Sequence, residues 1–288
     1  MTRLRVSLVA ASALIAAILA SIAAAPAYVA APAGSFVWHD LVTDSPGASR
    51  TFYGSLFGWT FEAGQGVDPG YTIVRQNGRP IGGIVVPREQ ANGAVAQWLS
   101  YVVVSDVDRA AAAFRQAGGR VFRGPLSARK DLRVAVVADA QGATLGLASR
   151  GPKLDPEPEM PPAVNRWLWM EYVARDADGA LDFFDTALGY RRELYETRRD
   201  VPYFLLLTAD RPRAGLFRSP WQRETSVWLP YVRVSDPAAM AAKAAELGGT
   251  IALAPRASVR NGSVAIVLDP AGAPLALQKY PFDGGATP

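Results

Sequence analysis

Residues 36–59 read FVWHDLVTDSPGASRTFYGSLFGW, and residues 167–190 read WLWMEYVARDADGALDFFDTALGY. At an offset of 131, Trp38 falls on Trp169, Phe52 on Phe183 and Gly58 on Gly189. Further along the offset is 130. WLSYVVVSD (98–106) matches WLPYVRVSD (228–236), Gly118-Gly119 matches Gly248-Gly249, and VAVVADAQGATLGL (134–147) matches VAIVLDPAGAPLAL (264–277). Between these blocks, Arg79-Pro80 corresponds to Arg211-Pro212. Self-similarity at a fixed period marks a repeated structural unit. The chain therefore holds two copies, 34–150 and 165–282, followed by a short tail at 283–288. The segment that joins them, GPKLDPEPEMPPAV (151–164), contains five prolines and reads as a semi-rigid linker.

Each copy divides again into two similar halves. The first opens with an alternating strand over 35–42. A helix follows, with Ser45 placed to N-cap it and Pro46 at its first position. Phe52 and Leu56 repeat at i, i+4, as a core-facing stripe does. Asn77-Gly78, between YTIVRQ and RPIGGIVV, is a hairpin turn signal. The second half has a strand at 98–104 and a helix opened by Asp106. Val107, Ala111 and Phe114 lie on one face of that helix, and Gly118 ends it. Strands near 120–123, 133–138 and 143–149 follow. In the second copy Asp236 and Pro237 supply the same cap and first-turn proline. Strand, helix and about three strands, four times over, is an α+β pattern, with sheets covered on one side by helices.

The 288 residues include one histidine and no cysteine. A disulfide framework, a thiol nucleophile and Cys-ligated zinc or iron–sulfur centres are excluded, and a Ser-His-Asp triad has only His39 to use. Residues 1–33 read as a signal peptide or membrane anchor. Arg3 and Arg5 precede an uncharged apolar run to Ala25, and Ala25-Pro26-Ala27 fits a cleavage site. The expectation is an exported protein, periplasmic or secreted, whose membrane contact is limited to an uncleaved leader. The leader holds two arginines and no acid, so the remainder has 28 basic against 26 acidic residues. The cluster Arg191, Arg192, Arg198 and Arg199 is interleaved with Glu193, Glu196 and Asp200, which describes a solvated face and not a nucleic-acid stripe. No P-loop, HExxH or GxSxG is present.

The chain resembles the glyoxalase, bleomycin-resistance and extradiol-dioxygenase superfamily, also called the vicinal oxygen chelate superfamily. The residues that carry the likeness are Phe52-Tyr53…Leu56-Phe57-Gly58-Trp59, Val104-Ser105-Asp106-Val107-Asp108, Gly118-Gly119, Asp139-Ala140-Gln141-Gly142 and Asp269-Pro270-Ala271-Gly272. The resemblance implies four βαβββ modules paired into two glyoxalase-like domains, whose curled mixed sheets, with helices on the outer face, enclose two clefts. Such a cleft usually holds a divalent metal that chelates substrate oxygens. It also implies where ligands stand. One lies on a module's first strand, seven residues before the helix-opening Asp or its equivalent, which gives Trp38, Leu99, Trp169 and Leu229. The carboxylate lies on the last strand, at Gly146 and Ala276. The last strands of the first and third modules (81–86 and 213–218) carry no carboxylate. None of the six named positions holds a ligand-type side chain, so no cofactor is expected. The alternative is a shifted divalent-metal site at His39 and Asp40, serving a lyase, isomerase or dioxygenase.

A strand alternates faces with period 2. Trp38 and Asp40 therefore share one face, and Trp169 and Glu171 the matching face of the second copy, while His39 sides with Leu41 and the helix stripe. The counterpart of His39 is Met170, a core-type residue. A tryptophan beside a carboxylate can stack a flat or cationic ligand and fix it by charge. Tyr101 and Tyr231 recur at matching positions and point with Leu99 and Leu229. The candidate ligand-binding residues are thus Trp38, Asp40, Tyr101, Trp169, Glu171 and Tyr231. The expected partner is a small, partly aromatic molecule. A protein whose clefts are filled by their own side chains is the other reading. Pairing of the two copies with each other, or with a second chain as a homodimer, is left open by the sequence.

Overall fold

The computed structural model describes residues 31–64, 70–87, 96–129, 132–150, 160–198, 201–220 and 226–280. The leader up to residue 30, most of the proline-rich linker, the tail and Arg199 lie outside the described residues. Among the described residues no helix is long and apolar enough to cross a membrane.

The first copy runs β1 (Phe36–Val42), α1 (Pro46–Phe57), β2 (Thr60–Ala63), β3 (Thr72–Gln76), β4 (Arg79–Val85), β5 (Gln97–Val103), α2 (Val107–Gln116), β6 (Arg120–Arg129), β7 (Leu132–Ala138) and β8 (Thr144–Arg150). The second runs β9 (Trp167–Ala174), α3 (Ala177–Leu188), β10 (Arg191–Arg198), β11 (Val201–Thr208), β12 (Arg211–Arg218), β13 (Val227–Val234), α4 (Pro237–Glu246), β14 (Thr250–Leu253), β15 (Val264–Leu268) and β16 (Pro274–Lys279). Each copy is one eight-stranded mixed sheet, ordered β2-β3-β4-β1-β5-β8-β7-β6 and β10-β11-β12-β9-β13-β16-β15-β14. The two βαβββ modules of a copy meet where their first strands pair antiparallel, β1 with β5 and β9 with β13.

The local signals act where the pattern placed them. Asn77 and Gly78 both have positive φ, 51° and 74°, and turn β3 into β4. Gly58 and Gly189 end α1 and α3 in the left-handed conformation, which costs a residue without Cβ little. Asp106 and Asp236 cap α2 and α4, accepting from Arg109 N and from Ala238 N and Ala239 N. Ser45 departs from its expected role. It stands at the N-cap of α1 but makes no side-chain cap. Its hydroxyl donates to Asp44 Oδ1 instead, at 2.9 Å.

The helices of both copies lie between the two sheets. α1 packs on α4 and α2 on α3, and two apolar clusters span the copies. The contacts are reciprocal, as a pseudo-twofold axis requires. Trp59 Nε1 donates to Asn165 O, and its counterpart Tyr190 donates through its hydroxyl to Gly34 O. Ala96 N bonds Ala271 O, and Ser226 N bonds Gln141 O. The Asp-x-x-Gly turns also serve this junction. Asp139 accepts from Gln141 N and Ala143 N within its turn and from Tyr172 Oη of the other copy at 2.6 Å. Asp269 accepts from Ala271 N and Ala273 N, and from Ser49 of the first copy. Burial raises the pKa of both carboxyls. With the helices inside this junction, the opposite face of each sheet is left to form a cleft.

Candidate functional site: two unequal clefts

Strand pairing sets the floor of each cleft. In the first copy Trp38 lies opposite Tyr101, and Tyr101 beside Gly146. One row away, Asp40 lies between Gly83 and Leu99. The second copy repeats this with Trp169, Tyr231 and Ala276, and with Gly215, Glu171 and Leu229. The small residues make room for rings. A Cβ at Gly146 would collide with the Tyr101 ring, at Gly83 with Tyr71, and at Gly215 with Tyr203.

The first cleft is closed by its own side chains. Trp38 is 1% exposed, and Tyr71, Leu99 and Tyr101 are buried with it. Trp38 Nε1 donates to Asp40 Oδ1 at 2.9 Å and approaches Tyr71 Oη at 3.2 Å. Tyr71 Oη donates to the same carboxylate oxygen at 3.0 Å. Burial, then the neighbouring Asp40 charge, pushes the Tyr71 phenol well above its usual pKa. Tyr71 therefore stays a donor, and a buried carboxylate is held by donors from its own sheet.

The second cleft is built on the same plan with one more carbon and one more charge. Glu171 is 1% exposed and accepts from Tyr203 Oη at 2.9 Å. The longer side chain also reaches the Tyr231 hydroxyl, which donates to its other oxygen. Trp169 Nε1 contacts Tyr203 Oη at 3.2 Å and no longer bonds the carboxylate. Arg260 forms an ion pair with Glu171 and donates to Gln278 Oε1 at 2.7 Å. Its guanidinium lies 5.4 Å from the Tyr203 ring centre and 5.5 Å from that of Tyr231, a cation–π arrangement. Desolvation lowers the Arg260 pKa to about 10, which leaves it charged at neutral pH. Arg260 comes from a 3-10 turn (Arg260–Gly262) between β14 and β15, where Arg260 and Asn261 have left-handed backbones. That conformation costs a non-glycine residue about 1–2 kcal/mol. In contrast with the first cleft, Trp169, Tyr203, Phe217 and Arg260 all retain partial exposure.

Three of these residues were absent from the sequence candidates. Tyr71 and Tyr203 are related by an offset of 132, the one that aligns Arg79-Pro80 with Arg211-Pro212, and that signal could have found them. Arg260 had no such signal. Its register mate is Lys130, and no local pattern tells a loop arginine where to reach.

His39 lies on the other face of β1. Its Nδ1 is 2.8 Å from Ser100 Oγ, and its ring lies 4.2 Å from that of Trp167 in the second copy. Burial drives its pKa down to about 3, so it is neutral. His39 and Asp40 are therefore directed to opposite faces, and the shifted metal site that would pair them is not assembled.

No family model matches the chain. Among curated proteins it is 29% identical to the "Putative glyoxylase CFP32" of Mycobacterium bovis, over 84% of this chain and 93% of that protein. It is 28% identical to the anthracycline biosynthesis protein DnrV of Streptomyces peucetius, over 88% of this chain and 97% of that one. Among solved structures, the Mn(II)-bound glyoxalase of Novosphingobium aromaticivorans superposes with a TM-score of 0.58. That match covers 86% of this chain and 82% of the other at 14% identity, a likeness of fold. In fold the chain resembles the vicinal oxygen chelate superfamily, as its sequence motifs implied. Four βαβββ modules in two sheets are its tandem form.

The metal that this superfamily implies does not fit the residues present. At the six positions carried over from the superfamily pattern stand Trp38, Leu99, Gly146, Trp169, Leu229 and Ala276. Among the described residues no three His, Cys, Asp or Glu side chains converge. The single carboxylate in each cleft is met by indole and phenol donors, and in the second cleft by a guanidinium, where a metal site would need further electron-pair donors.

Proposed function

We propose that this vicinal oxygen chelate protein is an exported, metal-independent binding protein that takes a small, partly aromatic ligand on the concave face of its second copy. The observation that carries the reading is the inequality of the clefts. Trp38 is sealed beneath its neighbours, whereas Trp169 and Tyr203 stand partly open beside a buried carboxylate and a guanidinium. An apolar, aromatic concavity with a few convergent polar groups is the usual form of a small-molecule site. A relative named for anthracycline biosynthesis is consistent with a flat aromatic ligand. The first copy fits the filled-cleft reading and serves as a structural partner for the second. Export is proposed from the leader alone.

Tryptophan fluorescence, titrated with one- and two-ring aromatic amines, acids and phenols, tests the ligand reading. Saturable quenching is expected in the wild type and in Trp38→Phe, and its loss in Trp169→Phe. Quenching lost in Trp38→Phe and kept in Trp169→Phe would place the site in the first cleft and refute the assignment. Fractionation of cells expressing the full chain tests export. Retention of the unprocessed chain in the cytoplasm would refute that part.

A further inference from the structure

We propose that the second cleft is a cation site, filled in the free protein by the chain's own Arg260, and that its ligand is a flat organic cation that takes the guanidinium's place. The inference rests on the cleft reading above and adds the charge of the ligand to it.

Glu171 sits on the central strand β9, almost wholly buried, and every partner seen on it is a donor: Tyr203, Tyr231 and Arg260. Two hydroxyls hold the carboxylate in place, and the guanidinium supplies the opposing charge. Around that guanidinium are the Tyr203 and Tyr231 rings, with Trp169 joined to Tyr203. A buried carboxylate framed by aromatic rings is the chemistry that recognises an ammonium, amidinium or guanidinium group. The site already performs that recognition on a side chain.

The occupant is suited to being displaced. Tyr203, Tyr231 and Glu171 come from paired strands inside the sheet, so they stay fixed. Arg260 comes from a 3-10 turn with left-handed backbone at two successive non-glycine residues, and its side chain keeps 20% of its surface exposed. Withdrawing it needs only the opening of a loop, drawn from the low-stability end of the structure. A ligand that brings its own positive charge leaves Glu171 compensated throughout. One that brings a negative charge would add an anion beside a carboxylate already in place. The half-buried Trp169 indole offers the flat surface for the ligand's ring. In the first cleft the equivalent carboxylate, Asp40, is held by Trp38 and Tyr71 and closed over, so one cation site per chain follows.

The test uses the full chain with benzamidine as the flat cation and benzoate as its shape-matched anion, followed by calorimetry and tryptophan fluorescence. Benzamidine is expected to bind the wild type once per chain, with quenching that depends on Trp169. Arg260→Ala removes the competitor and is expected to tighten benzamidine binding about tenfold or more, because affinity is reduced by the fraction of molecules whose site is occupied. Glu171→Gln is expected to weaken it about tenfold or more. If Arg260→Ala does not fold, Arg260→Lys replaces the planar fork by a point charge that competes less well, and binding should again tighten. Benzoate binding to the wild type that is lost in Arg260→Ala would overturn the cation assignment while leaving the cleft reading intact. No Trp169-dependent response to either probe, in wild type or in Arg260→Ala, would overturn both.

Discussion

His39 offers a quantitative test of how the two copies are joined. It is 3% exposed, bonded to Ser100 and packed on Trp167 of the other copy. Its pKa falls from 6.5 to about 3 on folding. Above pH 6.5 it is neutral in both states and contributes nothing to the pH dependence. As pH falls through 6.5 the unfolded chain takes up a proton that the folded chain refuses, so stability is lost. The loss is complete near pH 3, where the folded imidazole also protonates. With 1.36 kcal/mol per pKa unit, the full penalty is about 5 kcal/mol, of which about 2 kcal/mol is felt at pH 5 and about 3 kcal/mol at pH 4. The second copy supplies the control. Where the first pairs His39 with Ser100 across β1 and β5, the second pairs Met170 with Pro230. The double substitution His39→Met with Ser100→Ala removes the imidazole without stranding the hydroxyl. Urea unfolding at pH 7, 5 and 4, followed by near-ultraviolet circular dichroism, should show the wild type losing stability relative to the variant by these amounts. The raised carboxyls of Asp139 and Asp269 act in the opposite sense, gaining stability as pH falls, but they are common to both proteins and cancel in the difference. A difference between the two proteins that does not change with pH would show that His39 protonates freely, and the account of its burial would fail.

Three further outcomes follow from the same geometry. Gly146→Asp restores a carboxylate at the superfamily's metal position, but its Cβ meets the Tyr101 ring, so thermal unfolding should show a loss of about 1–3 kcal/mol or more from overpacking and no gain of Mn(II) binding by calorimetry. Gln141→Ala removes three contacts between the copies, to Asp176 N, Asp176 O and Ser226 Oγ; chemical denaturation should report a cost of about 2 kcal/mol or more. Divalent metal or a chelator added to the protein should leave its melting temperature unchanged, and a rise with Mn(II) or Zn(II) would expose a metal site that the described residues do not form.

The repeat, the βαβββ order and the assignment of residues to faces were legible in the sequence because each is a local property. Helix caps, the Asn77-Gly78 turn and period-2 alternation act over a few residues. Alternation alone puts Trp38 with Asp40 and Trp169 with Glu171, and turns His39 away from them. The residues at the positions carried over from the superfamily pattern were equally readable, since that requires only spacing from a recognised turn. Tyr71 and Tyr203 needed an alignment shifted by one residue, and Arg260 had no signal at all. That the helices of both copies meet between the sheets, and that one cleft is sealed while the other is partly open, was decided only by tertiary structure. The physical reason is distance along the chain. Asp40 and Glu171 differ by one methylene, yet that reach lets Glu171 engage Tyr203, Tyr231 and Arg260 from three separate segments. Which side chains converge on a buried charge depends on how β11, β13 and the β14–β15 loop are carried together, and no local pattern encodes that meeting.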